Sequence, residues 1–401
     1  MKRRSSELES ALARLDDEHL RRERRTIDGF VEPGSRVTTI VHGQRLVDFS
    51  SNDYLGLARH PAVASAMSEC AERCGAGSGA SHLVTGHGAE HSRLEEELAS
   101  FTGRERALLF STGYMANLAV ITTLAGRGES VLLDRLSHAS LIDGSLLSGA
   151  RFKRYAHADA AAATAALSAH DETAAVVATD GVFSMDGDVG PLDALARASR
   201  AHDAWLVVDD AHGLGVLGAN GRGAVEYFGL EADAVPVLVG TLGKAFGSFG
   251  AFVAGSDGLI ELLMQRARSY IYTTALPQPV AAASRKALEI AQRESWRRER
   301  VLALTARFRA GAEQMGVPVM ATAQPLTPIQ PIVLGSPEAA VRAQRQLFEA
   351  GFCVIAIRPP TVPPGSSRLR VTLSAAHTEA QVDSLVEALS RACAAQHAVW
   401  S

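Results

Sequence analysis

Residues 235–247 read VPVLVGTLGKAFG, a short apolar run ending at Gly240, followed by a lysine bracketed by Gly243 and Gly247. An unbroken apolar run is how a strand buried on both faces of a parallel sheet reads. A lysine just beyond the carboxyl end of such a strand stands where open α/β sheets take their ligands. The flanking glycines let a bulky group come close to the backbone. Withdrawn from water, Lys244 would lose part of its basicity and become a usable amine nucleophile. Taken alone the stretch also suits a lysine in a surface loop, so its neighbours decide.

Working upstream, WLVVDDAHG at 205–213 is a second apolar run, closed by Asp209 and Asp210 with His212 close behind. A carboxylate there could hold the pyridine nitrogen of pyridoxal phosphate (PLP) protonated, which lets the ring accept electrons from a carbanion. His212 could reach that ring's phenolic oxygen. STGYMAN at 111–117 follows another apolar run and opens a helix, a place where free backbone N–H groups bind phosphate. DRLSHAS at 134–140 puts His138 after a further strand, where an imidazole could stack on a flat ring.

Two other arrangements compete. Gly213-Leu-Gly215-Val-Leu-Gly218 fits the G-x-G-x-x-G pattern of dinucleotide-binding proteins, but ANGRG at 219–223 follows it, and that reads as loop. The pattern requires a helix whose N-terminus meets the pyrophosphate. His82, His87 and His91 could imitate a metal site, yet Gly86 and Gly88 flank His87 and make one helix carrying the set doubtful. Cys70 and Cys74 have no second pair to complete a metal site, and four cysteines this scattered make no disulfide framework.

Short apolar runs alternate with helical stretches from about 90 to 280, at 107–110, 131–134, 175–179, 205–209, 235–240 and 250–254. That alternation predicts a doubly wound α/β domain. Residues 1–50 read as a charged amphipathic helix and a short β segment, 51–280 as the large domain and 281–401 as a smaller α+β C-terminal domain. With 401 residues, 47% hydrophobic, the chain can bury a large core. A net charge of −4 and 21% charged residues give no sign of nucleic-acid binding. The opening MKRRSSELES lacks the apolar core of a signal peptide, and no run approaches the roughly 20 apolar residues of a membrane span, so a cytoplasmic protein is expected.

Further stretches complete the pattern: SSNDYLGLARHP at 50–61, GSGAS at 77–81, SRLEEELASFTG at 92–103, DGVFSMDGD at 180–188, VVDDAHGLGVLGANGRG at 207–223 and IRPPTVPPG at 357–365. With STGYMAN, DRLSHASL and GTLGKAFG they resemble, in order and over nearly the whole chain, the α-oxoamine synthase family of PLP enzymes, and most of all its biotin-pathway branch. The resemblance implies the fold type I, aspartate aminotransferase-like architecture, with a mostly parallel central sheet. It implies homodimers with active sites at the subunit interface. The implied reaction is a decarboxylative condensation of L-alanine with pimeloyl-CoA or a pimeloyl carrier-protein thioester, giving 8-amino-7-oxononanoate, CO2 and the free thiol. A sister reaction, glycine or serine with another acyl thioester, is the alternative; a non-catalytic PLP-binding protein is a remoter one.

By motif, the resemblance makes Lys244 the Schiff-base lysine, pairs Asp209 with the pyridine nitrogen and stacks His138 on the ring. It puts His212 and Ser184 near the phenolic oxygen. Gly113, Tyr114 and Thr241 would hold the cofactor, and Thr274 of YTTALP at 272–277 would reach the neighbouring subunit's phosphate. Asn52 and Arg358 would meet the amino-acid carboxylate, Thr361 the acyl substrate and Arg21 its chain. No metal is implied. Asp180 stands where the family commonly has Glu, and His87 where Tyr is frequent.

Overall fold

The computed structural model describes residues 2–169, 174–321 and 325–397 of the chain. Its centre is a seven-stranded sheet in the spatial order Arg106–Phe110, Ala251–Gly255, Val237–Thr241, Trp205–Asp209, Ala174–Asp180, Ser130–Asp134 and Arg151–Tyr155. All neighbouring pairs are parallel except those made by Ala251–Gly255, which runs antiparallel to both its neighbours.

Side chains along a strand alternate between faces, and both faces here are apolar. Leu109, Leu132, Val177, Leu206, Val208, Leu238 and Phe252 pack on one side beneath helices Ala89–Thr102, Leu192–Ala201 and Gln278–Arg293. Leu108, Val131, Leu133, Val176, Val207, Val239 and Val253 pack on the other beneath Gly113–Leu124, Ala139–Ser148 and Asp257–Arg266. This two-sided burial is why the sequence shows unbroken apolar runs instead of alternation. The exception is RFKRY at 151–155, which no apolar run announces. It is the last strand of the sheet, and the charges on an exposed edge discourage pairing with another chain.

Parallel strands place their carboxyl ends on one edge. Asp134, Asp180, Asp209 and Thr241 close four of them there, with Asp180 paired in register to Asp209 and Thr241 to Ala251.

A second core gathers helices Trp296–Gln314, Pro337–Glu349 and Glu379–His397 on the antiparallel strands Ile329–Gly335, Ser367–Thr372 and Ile355–Ile357. Phe49 belongs to this core, and strand Gln44–Asp48 pairs with Phe352–Cys353, so the N-terminal β segment joins the C-terminal unit. The sequence boundary at 280/281 falls inside helix Gln278–Arg293, whose buried face lies in the first core through Ala281, Leu288 and Ala291. Among the described residues, no helix is long and apolar enough to cross a membrane.

Candidate active site

Just past strand Val237–Thr241 the chain turns sharply, with Gly247 N–H donating to the Lys244 carbonyl at 2.9 Å and Ser248 N–H to the Leu242 carbonyl at 2.9 Å. The turn directs Lys244 back over the sheet edge. Its Nζ lies 2.8 Å from Nε2 of His212, which stands on the loop after the neighbouring strand. Lys244 as a whole is half-buried, but desolvation of its amine, opposed by the Asp209 charge, brings its pKa down to about 8. His212 is buried, and that burial, with Lys244 and Arg370 nearby, holds it well below the usual imidazole range.

The neutral ring fits one proton arrangement. Lys244 donates to Nε2, and Nδ1–H donates to the Tyr54 oxygen at 2.7 Å. Tyr54 then donates to Oδ1 of Asn52 at 3.2 Å, which also accepts from Nη1 of Arg370 at 3.0 Å. One hydrogen-bonded chain therefore joins Lys244, His212, Tyr54, Asn52 and Arg370, drawn from both structural units.

Asp209 ends the strand beside it and is buried. Its Oδ2 accepts from Asn117 Nδ2 at 2.5 Å and its Oδ1 from Ala211 N–H at 3.1 Å. Asn117 also donates to Ser140 Oγ, which lies 2.7 Å from Nδ1 of His138. His138 caps helix Ala139–Ser148, and its backbone N–H donates to Oδ2 of Asp180 at 3.0 Å. Desolvation lowers the pKa of His138, which favours a neutral ring. Asp180 is buried near Asp209, and burial followed by that like charge raises its pKa well above the usual value.

Gly113 opens helix Gly113–Leu124, with Thr112 capping Met115 N–H, and a Cβ at Gly113 would meet nothing within 4 Å. Tyr114 is partly exposed and donates to Asp143. Thr241 Oγ1 donates to the Gly250 carbonyl at 3.1 Å and accepts from Gly243 N–H at 3.3 Å. Ser184 is half-buried on a hairpin whose Ser184 carbonyl accepts from Arg370 Nε at 2.6 Å. Thr274 is exposed on a loop tied to the GSGAS run through Ala275 N–H and the Ala80 carbonyl at 3.0 Å.

Arg21, Arg358 and Thr361 lie together elsewhere, lining a groove of about 890 Å³ between the N-terminal segment and the C-terminal unit. There the Arg358 guanidinium donates to the His19 and Arg21 carbonyls, Arg21 pairs with Asp16 at 2.7 Å, and Thr361 accepts from Arg22 at 3.4 Å. None of these hydrogen bonds reaches the Lys244 chain. The residues that motif reading missed are Tyr54, Asn117 and Arg370. Arg370 carries the clearest signal, because SRLRVT at 367–372 alternates arginine with apolar residues in a strand that is buried throughout. A buried arginine demands a partner, and Nη2 of Arg370 has none among the described residues.

The competing motifs resolve into structure. A Cβ on Gly213 or Gly223 would collide with the Asp210 carboxylate, and one on Gly218 with Glu226. These glycines make room for two loop-stapling acids, and no helix begins before Ala224. Of the histidine trio, His91 has both nitrogens engaged, Nδ1 accepting from Gly88 N–H at 2.9 Å and Nε2 donating to the Leu276 carbonyl at 2.7 Å. His87 lies outside the helix that carries His91, and its Nδ1 faces that of His82 at 2.9 Å.

The donor set fits PLP. It offers a desolvated amine, a buried carboxylate held by two N–H donors, a neutral imidazole on each side and a helix N-terminus left open by glycine. Comparison with known proteins agrees. The aminotransferase class I and II family model matches residues 44–389. The 8-amino-7-oxononanoate synthase of Methylococcus capsulatus is 58% identical over 96% of this chain and 97% of its own. That of Pseudomonas putida is 61% identical over 88% and 89%. Among solved structures, the 8-amino-7-oxononanoate synthase of Francisella tularensis superposes with a TM-score of 0.76 at 33% identity, covering 88% of this chain and 99% of that one. Serine palmitoyltransferase of Sphingomonas wittichii does so with 0.90 at 32% identity, covering 98% and 97%. The chain is thus a PLP enzyme of the aminotransferase class I and II family, and within that family it belongs to the 8-amino-7-oxononanoate synthases.

Proposed function

We propose that this chain condenses L-alanine with a pimeloyl thioester, on CoA or on a carrier protein, releasing 8-amino-7-oxononanoate, CO2 and the free thiol. The observation that carries the reading is the Lys244 amine, 2.8 Å from a neutral buried His212 and one strand from the buried Asp209. PLP bound there supplies an electron sink for the negative charge that develops at the alanine Cα.

The chain's own groups do the rest. Lys244 would hold the cofactor through its aldehyde and would be the group that takes the Cα proton, a role suited to an amine whose pKa is about 8. Asp209 would keep the pyridine nitrogen protonated, and His138 would cover the ring. His212 and Ser184 would serve its phenolic oxygen. Gly113, Tyr114 and Thr241 would hold the cofactor, with Thr241 serving the phosphate. Asn52 orients the amino acid, and Arg21 and Thr361 line the path of the acyl chain. Thr274 itself is exposed, as a residue reaching a second subunit's phosphate would be. Exposed Leu83 and Val84 lie on a turn packed against helix Arg268–Ile271, just before exposed Tyr272, and offer apolar surface for a homodimer interface. Burial of the site between subunits would keep water from reactive intermediates.

For the alanine carboxylate, Arg370 is the better anchor than Arg358. Its guanidinium is buried beside Asn52, and Nη2 lacks a partner among the described residues, whereas Arg358 spends its donors on backbone carbonyls of the N-terminal segment. Arg370→Ala should raise KM for alanine about a hundredfold, the loss expected for a charge-assisted pair. Arg358→Ala should change it less than about threefold, as an exposed contact would. Steady-state kinetics at fixed acyl thioester measure both, and the reverse ranking would return the carboxylate to Arg358.

The sister reactions share all this machinery and differ in the pocket. Identities of 58–61% to 8-amino-7-oxononanoate synthases, against 32% to a serine palmitoyltransferase, favour alanine. The test is CO2 release from carboxyl-labelled alanine, glycine and serine, each with a panel of acyl thioesters. Alanine with a pimeloyl thioester should lead by about tenfold or more, the discrimination one methyl group can support. Preference for glycine or serine would reassign the substrate, and no PLP spectrum at all would remove the enzyme reading.

A further inference from the structure

His157 stands just beyond edge strand Arg151–Tyr155, at the start of the loop leading to helix Ala160–Ser168. Its Nδ1 lies 2.9 Å from Oδ1 of Asp134 and its Nε2 2.8 Å from Oδ2 of Asp188. An ionised carboxylate only accepts, and a neutral imidazole has a single N–H. A ring with a carboxylate on each nitrogen satisfies both only as the imidazolium.

The two carboxylates belong to different pieces of the site. Asp134 is fully buried and organises the turn that ends at His138, accepting from Leu136 N–H at 2.8 Å and from Ala158 N–H at 2.7 Å. Asp188 belongs to the hairpin closed by the Val182–Val189 bridge, which carries Ser184 at its tip. On its far side the C-terminal unit grips the same hairpin. Arg368 binds Asp186 and the Met185 carbonyl, Thr327 donates to the Gly187 carbonyl at 2.6 Å, and Arg370 donates to that of Ser184. The Phe183 ring packs edge-on against His157, with centroids 4.4 Å apart.

We propose that His157 is a positioning residue for the condensation: as an imidazolium it clamps the hairpin that carries Ser184 and supports Arg370 to the turn that carries His138. The proposal rests on the reaction reading above. The groups facing it are Asp134 from one strand and Asp186 and Asp188 from the hairpin. His157 is thus a cation set among carboxylates. Burial alone would lower its pKa, but the two hydrogen bonds and charges of Asp134 and Asp188 raise it to about 10. The same residues could imitate a cation site, His157 with Asp186 and Asp188. They do not serve as one, because both ring nitrogens of His157 face carboxylates and Asp186 is taken by buried Arg368.

The clamp can be checked without turnover. In nitrogen-15 NMR of the cofactor-free protein, both ring nitrogens of His157 should read as protonated at pH 8; a neutral ring there overturns the proposal. His157→Gln keeps one donor and His157→Ala keeps none. Their kcat for CO2 release should fall about tenfold and about a hundredfold, the scale set by misplaced active-site groups. KM for the acyl thioester should stay within about twofold, since the groove that takes it is elsewhere. If His157→Ala does not fold, His157→Gln and the NMR decide. A lower melting temperature with wild-type kcat at low temperature would make His157 structural only and sink the idea. Wild-type protein that binds PLP but condenses nothing would count against the reaction reading, while leaving the NMR result standing.

Discussion

Lys244→Ala should yield a folded protein without the visible absorption band that PLP gives when bonded to a lysine, and with turnover reduced at least about 10⁴-fold. Folding should survive because the turn around Lys244 is held by backbone hydrogen bonds from Gly247 and Ser248. The hydrogen-bond partner of the amine is Nε2 of His212. Removing it leaves His212 with one vacant acceptor in a site that already holds polar groups, at a cost of about 1–3 kcal/mol. On the proposed reading activity should fall far more, because two tasks would end together, bonding the cofactor aldehyde and moving the Cα proton. The checks are an absorption spectrum with PLP, thermal denaturation and CO2 release. A mutant that kept both the band and the turnover would move the nucleophile to another residue.

The legible part of this molecule is the part in which one strand end, one turn and one reactive residue lie within a few positions of each other. Lys244, Asp209, His138 and Gly113 each follow an apolar run, and parallel strands bring such ends to one edge without further information. What the sequence conceals is contact between distant segments. Tyr54, His212 and Arg370 share one hydrogen-bond chain although the first and last are separated by most of the chain. Arg370 sits in a strand that reads as ordinary core, and only the alternation of two arginines with Leu369 and Val371 betrays it. Conversely Arg358, Thr361 and Arg21 look promising in a proline-rich motif and a basic stretch, yet fold into a groove whose hydrogen bonds do not touch the lysine. Strand Arg151–Tyr155 escapes notice for the opposite reason, since edge position allows charges that a pattern of buried strands forbids.

Asp209→Ala should bind PLP weakly and lose about 10³-fold or more in kcat, the scale of removing a preorganised charge from a reacting group. The carboxylate sits on a strand end that cannot move, paired in register with Asp180 on one side and Val239 on the other. Asn117 Nδ2 and Ala211 N–H both donate to it. On the proposed reading that carboxylate would keep the pyridine nitrogen protonated, so its loss should weaken the electron sink before any carbon–carbon bond forms. The step that suffers is therefore removal of the alanine Cα proton, and the direct measurement is exchange of that hydrogen in heavy water without any acyl thioester. Exchange should become undetectable in Asp209→Ala, and Asp209→Asn should share the defect, because an amide keeps the volume but not the charge. Asn117, whose Oδ1 has no partner among the described residues, would lose one of the two acceptors of its Nδ2 in the alanine variant, which should lower the melting temperature as well. In the asparagine variant the stability loss should be smaller while the exchange defect persists. Normal exchange in Asp209→Asn would separate charge from catalysis and assign the carboxylate to packing alone.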